Sequence, residues 1–178
     1  MLIKGKIVLD IAGQKFDLTG YPYVFAVPYR AFEFLNILHV SVNRLITIEN
    51  LTTFNYFNDP DAVVVYMGGY SGRHEIGLIK KVYESAGELT CLHMGDIDWG
   101  GFRILMDLRK KTGLPFSAFH MGIEELEEYR EECIPLTERD RDGLAKLLED
   151  PDAGEFLGVI SFMLDNGYKL EQESLLFN

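Results

Sequence analysis

Apolar and polar positions change rhythm along this chain. Residues 2–27 (LIKGKIVLDIAGQKFDLTGYPYVFAV) alternate between the two and predict a strand pair or short meander, with turns at Ala12-Gly13 and Thr19-Gly20-Tyr21-Pro22. Residues 28–38 (PYRAFEFLNIL) predict a short helix opened by Pro28 in its first turn. Short apolar runs rich in β-branched residues then alternate with helical segments. Arg44–Glu49 (RLITIE), Ala62–Met67 (AVVVYM) and Leu89–Met94 (LTCLHM) suit buried parallel strands, and Phe116–His120 suits a fourth. Helices are predicted over Arg73–Ser85 and Phe102–Lys111. The last third predicts helices at Ile123–Glu132, Glu138–Glu149 and Ala153–Asp165, punctuated by Pro135 and Pro151, with Gly167 as a C-cap.

Strand–helix alternation of this kind implies an α/β fold with a mostly parallel four-stranded sheet flanked by helices on both faces. Residues 1–40 read as an N-terminal strand extension with a short helix, and residues 41–178 as the main α/β domain with a helical C-terminal part. In such sheets ligands bind at the carboxyl ends of strands, where helix N-termini also point.

Composition bounds the class. An apolar fraction of 47% over 178 residues supports a globular core. Spanning a bilayer takes a run of about 18 apolar residues, which this chain lacks, and its N-terminus reads as a strand; a soluble cytoplasmic protein with no membrane partner is the expectation. Cys91 and Cys133 have no metal-ligand spacing and read as free thiols, and the four histidines form no HxH or HExxH pattern. The net charge of −11 is unevenly spread. Residues 1–121 hold 12 acidic and 12 basic side chains, whereas residues 122–150 hold 11 acidic and 4 basic. The N-terminal two-thirds are therefore neutral, which leaves a nucleic-acid partner open but predicts weak affinity without a basic partner or a further domain.

Three acids stand where a parallel sheet places its site. Glu49 ends the first parallel strand, and Asp96 and Asp98 follow the third at i and i+2, a spacing that aims both carboxylates to one side of an extended segment. Convergent carboxylates repel unless a cation lies between them, and a hard divalent ion such as Mg²⁺ or Mn²⁺ takes oxygen ligands of this kind. Gly100 and Gly101 open the next helix and would let an anion approach its N-terminus, with Arg103 one turn on as a phosphate contact or as a partner for Asp107. Asp98 also stands where a helix N-cap stands.

The segments ITIENLTTF (46–54), VVVYMGGY (63–70), HMGDIDWGGFRI (93–104) and KLEQES (169–174) resemble the Toprim domain of the Wadjet plasmid-defence nuclease subunits of the JetD family, and are more distantly similar to that of the topoisomerase VI A subunit. The resemblance covers roughly residues 40–178. It implies a Toprim-like fold, metal-dependent DNA strand cleavage, catalytic and metal-ligating roles for Glu49, Asp96 and Asp98, and an SMC-like loader complex as partner. A homodimer is compatible with it. Residues 1–40 show no winged-helix pattern, so DNA binding is expected to need a partner subunit or another domain. With no nucleophilic tyrosine of the topoisomerase type identified, hydrolysis by activated water is the expected chemistry rather than topoisomerase-like strand breakage. Glu171 and Glu173 could fold back to complete a second metal site, or could lie on a solvated helix end. His93 is expected to pack beside the site, and Trp99 to serve as a core anchor or a stacking surface. The competing readings are a different DxD enzyme (a nucleotide-sugar transferase or a haloacid-dehalogenase-type phosphatase) and a non-catalytic metal-binding module that docks partners through its acidic helices.

Overall fold

A computed structural model describes residues 1–176; the last two residues of the expected catalytic domain, 177 and 178, lie outside the described residues. The N-terminal part contains β1 (Leu2–Gly5), β2 (Ile7–Ile11), β3 (Gln14–Asp17), β4 (Phe25–Ala26) and β5 (Leu35–Val40). The chain then alternates through β6 (Arg44–Ile48), α1 (Leu51–Tyr56), β7 (Ala62–Tyr66), α2 (Arg73–Ala86), β8 (Thr90–Met94), α3 (Trp99–Thr112) and β9 (Ser117–Ala118). It closes with α4 (Ile123–Glu128), β10 (Ile134–Pro135), α5 (Glu138–Leu148), α6 (Leu157–Asn166) and β11 (Tyr168–Lys169).

The main sheet has the order β4-β1-β7-β6-β8-β9. The four expected strands form its parallel part, and β1 and β4 widen it with two antiparallel pairings. Alternation sorts the strand side chains onto two faces. Leu45, Val63, Val65 and Cys91 meet Leu78, Ile79 and Val82 of α2 and Phe102 and Leu105 of α3, while Ile46, Ile48, Val64 and Met94 meet Phe54 of α1 on the other face. Both faces are covered, which is why these strands read as unbroken apolar runs. Because β7 lies on one side of β6 and β8 on the other, the chain reverses its winding direction between β6 and β8. That crevice is where an open α/β sheet binds ligands, and Glu49 and Asp96 leave from its two walls.

The segment read as a helix over 28–38 is a short 3₁₀ turn over Tyr29–Phe34 followed by β5. Strand β5 pairs antiparallel with β2 to complete a second sheet, β3-β2-β5, that lies against α2. Pairing that buries Leu35 and Val40 outweighs the helical spacing of PYRAFEF, as tertiary contacts commonly do over a stretch of this length. The hairpin between β2 and β3 turns on Ala12 and Gly13, both at positive φ, as their dipeptide predicts. Helix 123–132 stops at Glu128, and the helix expected over 153–165 divides into a 3₁₀ segment (Pro151–Phe156) and α6, capped by Gly167 at φ 78°. Both cysteines are free, and no helix among the described residues is long and apolar enough to cross a membrane.

Candidate metal centre at the sheet switch point

Strand register builds the site. Pairing of β6 with β8 runs from Arg44 opposite Thr90 to Ile48 opposite Met94, so the next positions, Glu49 and Gly95, emerge together at the carboxyl end. Beyond Gly95 the chain stays extended, and Ile97 forms an antiparallel bridge with Leu170 through bonds of 2.9 and 3.3 Å. Ile97 and Leu170 are both 1% exposed and point into the core. Alternation therefore turns their neighbours the other way, setting Asp98 near Lys169 and Asp96 near Glu171 on one side of the bridge. The terminal KLEQE segment is thus the second strand opposite the loop that carries Asp96 and Asp98.

Further bonds fix that segment. The Gln172 backbone amide donates to Asp96 Oδ1 at 2.8 Å, and the Asn50 amide donates to Gln172 Oε1 at 2.9 Å. Asn50 Nδ2 donates to Glu173 Oε1, while Asn50 Oδ1 caps α1 by accepting from the amides of Thr52 (2.7 Å) and Thr53 (3.1 Å). Lys4 on β1 donates to the carbonyls of Phe54 and Phe57 at the other end of α1. The N-terminal strand therefore anchors the short helix that holds Asn50, and Asn50 holds the C-terminal segment.

The two aspartates have opposite surroundings. Asp98 Oδ1 accepts the Gly101 amide at 2.8 Å as the N-cap of α3, and Asp98 Oδ2 lies 3.3 Å from Lys169 Nζ. Lys169 also reaches Asp140 at 3.3 Å, and Asp140 is held by the Thr137 amide and hydroxyl at 3.0 and 2.6 Å in the capping box of α5. Asp96, in contrast, lies in a group with Glu171 and Glu173 whose nearest carboxylate oxygens are all within 4.8 Å of one another. Burial, opposed by the Gln172 amide and reinforced by Asp98, Glu171 and Glu173, pushes the Asp96 carboxyl up to about 6. Burial also pushes the Glu49 carboxyl up, to about 7, with help from Asp96, Asp98, Glu171 and Glu173. Glu49 Oε2 is buried and has no hydrogen-bond partner. An unpartnered buried carboxylate oxygen beside four more carboxylates fits a hard divalent cation, which would satisfy that oxygen and remove the repulsion.

The structure thus places Glu49, Asp96 and Asp98 around one crevice and adds Glu171 and Glu173, with Asp96 rather than Asp98 nearest to them. Gly101 is required for packing, since a Cβ there would lie 2.1 Å from the Asp96 carbonyl oxygen. Its amide serves Asp98, and a Cβ at Gly100 would crowd the same carboxylate at 3.1 Å. Asp107 pairs with Lys111 at 2.6 Å, which leaves the exposed Arg103 guanidinium over the Trp99 ring at 5.2 Å, with Arg139 over the same ring at 5.5 Å. Trp99 is partly buried against Gly143. His93 is fully buried, as expected of a strand residue beside the site. Sequence reasoning missed Asn50, Asp140, Lys169 and Gln172. A signal for one of them, Lys169, was present: the charges in K-L-E-Q-E recur at every second residue, matching the spacing of Asp96 and Asp98.

Comparison with known proteins shows the family of the chain. The family model described as "Wadjet protein JetD, C-terminal" matches residues 6–178. The chain is 24% identical to the Wadjet protein JetD of Bacillus cereus (strain Q1), over 180 residues that take in 99% of this chain and 44% of that relative. It therefore spans less than half the length of that relative. With a match across nearly its whole length, the chain belongs to the family of Wadjet JetD C-terminal regions.

Proposed function

We propose that this chain is the Toprim-type catalytic module of a plasmid-defence nuclease, cleaving DNA phosphodiesters by metal-dependent hydrolysis. The observation that carries this reading is the unpartnered Glu49 Oε2 at the switch point, among Asp96, Asp98, Glu171 and Glu173. Asp96, Glu171, Glu173 and Glu49 would hold Mg²⁺ or Mn²⁺. When bound, such an ion polarises the phosphate and stabilises the charge that develops on its oxygens. Asp98 is fixed from two sides by the Gly101 amide and Lys169 and borders the same crevice. Glu49, a carboxylate at the end of β6 beside the acidic group, would serve as a ligand or take a proton from an attacking water. Arg103, with no carboxylate in ion-pair range among the described residues, is available to a DNA phosphate near the start of α3.

The surface supports dependence on a partner. The acidic residues of α4 and the segment after it make a C-terminal third that repels DNA, so we assign productive DNA engagement to a further domain or to an SMC-like loader complex with a basic face. The test is nicking of supercoiled plasmid by the purified chain with Mg²⁺ or Mn²⁺, beside Asp96→Asn and Asp98→Ala. Nicking by wild type that either variant abolishes supports the assignment. Equal nicking by all three contradicts it. If none of them nicks while Mn²⁺ still binds, the module is a metal-binding docking domain unless added partner subunits restore cleavage.

A further inference from the structure

We propose that His93 is a positioning residue: it donates its Nε2 proton into a notch above Gly95 and thereby orients the Glu49 carboxyl. The inference deepens the reading of Glu49 given above and rests on it only for what the orientation achieves.

The notch follows from register. Thr47 and His93 are parallel neighbours on β6 and β8, and Glu49 and Gly95 occupy the next row on the same face. Gly95 has no side chain to fill its place, and a Cβ built there would meet Glu49 Oε2 at 2.8 Å and His93 Nε2 at 3.1 Å. Two polar atoms from neighbouring strands therefore border one small gap. Both are buried and neither has a partner, while the Met121 methyl closes the gap at 3.7 Å. A buried donor and a buried acceptor left unpaired lose their hydration without replacement, so a direct contact or one bridging water is strongly favoured.

Glu49 settles which nitrogen donates. An ionised carboxylate only accepts, so the ring proton sits on Nε2, facing Glu49. Nδ1 then accepts from the Thr47 hydroxyl 2.9 Å away, and the 3.3 Å contact of that hydroxyl with the Leu92 carbonyl is the lesser one. Burial, aided by the nearby Arg109 guanidinium, lowers the His93 pKa to about 3, so the ring is neutral and has a single N–H to place. Thr47, His93 and Glu49 then form a chain of bonds across the two strands that wall the crevice. Oε2 has two lone pairs, so a carboxylate held in this way can accept the His93 proton with one and keep the other, with Oε1, for a cation in the acidic group.

The test is a long-range ¹H–¹⁵N spectrum of the full chain labelled at histidine, recorded for wild type, Glu49→Gln and Asp98→Asn. The expected result is the Nε2–H tautomer for His93, with ring nitrogen shifts that move in Glu49→Gln and stay in place in Asp98→Asn. An Nδ1–H tautomer, or shifts unmoved by Glu49→Gln, overturns the proposal. A second arm measures Mn²⁺ affinity: His93→Leu weakens it about tenfold or more, whereas His93→Gln, which keeps an N–H near the Nε2 position, stays within about threefold of wild type. Equal affinities for wild type and His93→Leu, or equal weakening in both variants, also overturns it. If wild type binds no Mn²⁺, the metal reading fails, and the nitrogen spectra still decide the His93 contact.

Discussion

Asp98 and Asp96 sit two residues apart on the same side of one loop, yet the fold treats them oppositely. Asp98 is satisfied by the protein: a helix amide takes one oxygen and Lys169, itself tied to Asp140, takes the other. Asp96 receives one backbone amide and otherwise faces Glu171 and Glu173, with Glu49 close by. The bridge between Ile97 and Leu170 produces both outcomes, since it sets a cation beside one aspartate and an acid beside the other. Proteins rarely bury uncompensated like charges. The contrast therefore puts the proposed cation on the Asp96 side of the loop, although a DxD spacing alone treats the two residues as equivalent.

Substitutions can break that contrast, and they should differ in sign as well as size. The largest effect is expected for Lys169→Met, which strands Asp98 and Asp140 and should lower stability by about 3 kcal/mol, read by urea denaturation of the metal-free chain. Asp98→Ala removes the α3 N-cap and half of the Lys169 pairing, and should cost about 1–2 kcal/mol in the same assay. Asp96→Asn relieves repulsion instead, so the metal-free variant should be more stable than wild type at pH 8 by about 1 kcal/mol. Destabilisation by Asp96→Asn equal to that of Asp98→Ala would erase the distinction between the two sites.

The smallest effect concerns pH. The folded-state carboxyls of Glu49 and Asp96 are raised to about 7 and about 6, above their unfolded values, so the folded chain binds protons more tightly there than the unfolded chain does. Their contribution to metal-free stability is greatest below the unfolded carboxyl range and is lost as pH rises through these folded values. Relative to Glu49→Gln, wild type should lose on the order of 1 kcal/mol between pH 4.5 and 7.5, as seen in paired thermal melts. Saturating Mn²⁺ should reverse that loss and raise Tm more at pH 8 than at pH 5, because protons and metal compete for the same oxygens.

The fold was legible where local pattern and tertiary demand agree. Runs such as AVVVY and RLITI are buried on both faces and can be little else than parallel strands, and Gly113 and Gly167 stop α3 and α6 at positive φ. Leu35–Val40 was not legible, because its neighbours repeat at a helical spacing and only the distant β2 makes it a strand. Of the site, Glu49, Asp96 and Asp98 could be read from strand ends and spacing. The division of labour between Asp96 and Asp98 could not, since it depends on residues 169–173, more than 70 positions away, forming the opposite strand of the loop. Nor did the sequence reveal Lys4, whose contacts with the end of α1 make the first strand part of the support for the site.

Calorimetric titration of Mn²⁺ into the purified chain and into Asp96→Asn, Glu171→Gln and Lys169→Met tests the central claim most directly. The account predicts saturable binding by wild type, a loss of about tenfold or more in affinity for Asp96→Asn and Glu171→Gln, and retained binding in Lys169→Met wherever that variant is folded. No binding by wild type, or affinity unchanged by Asp96→Asn, would contradict it.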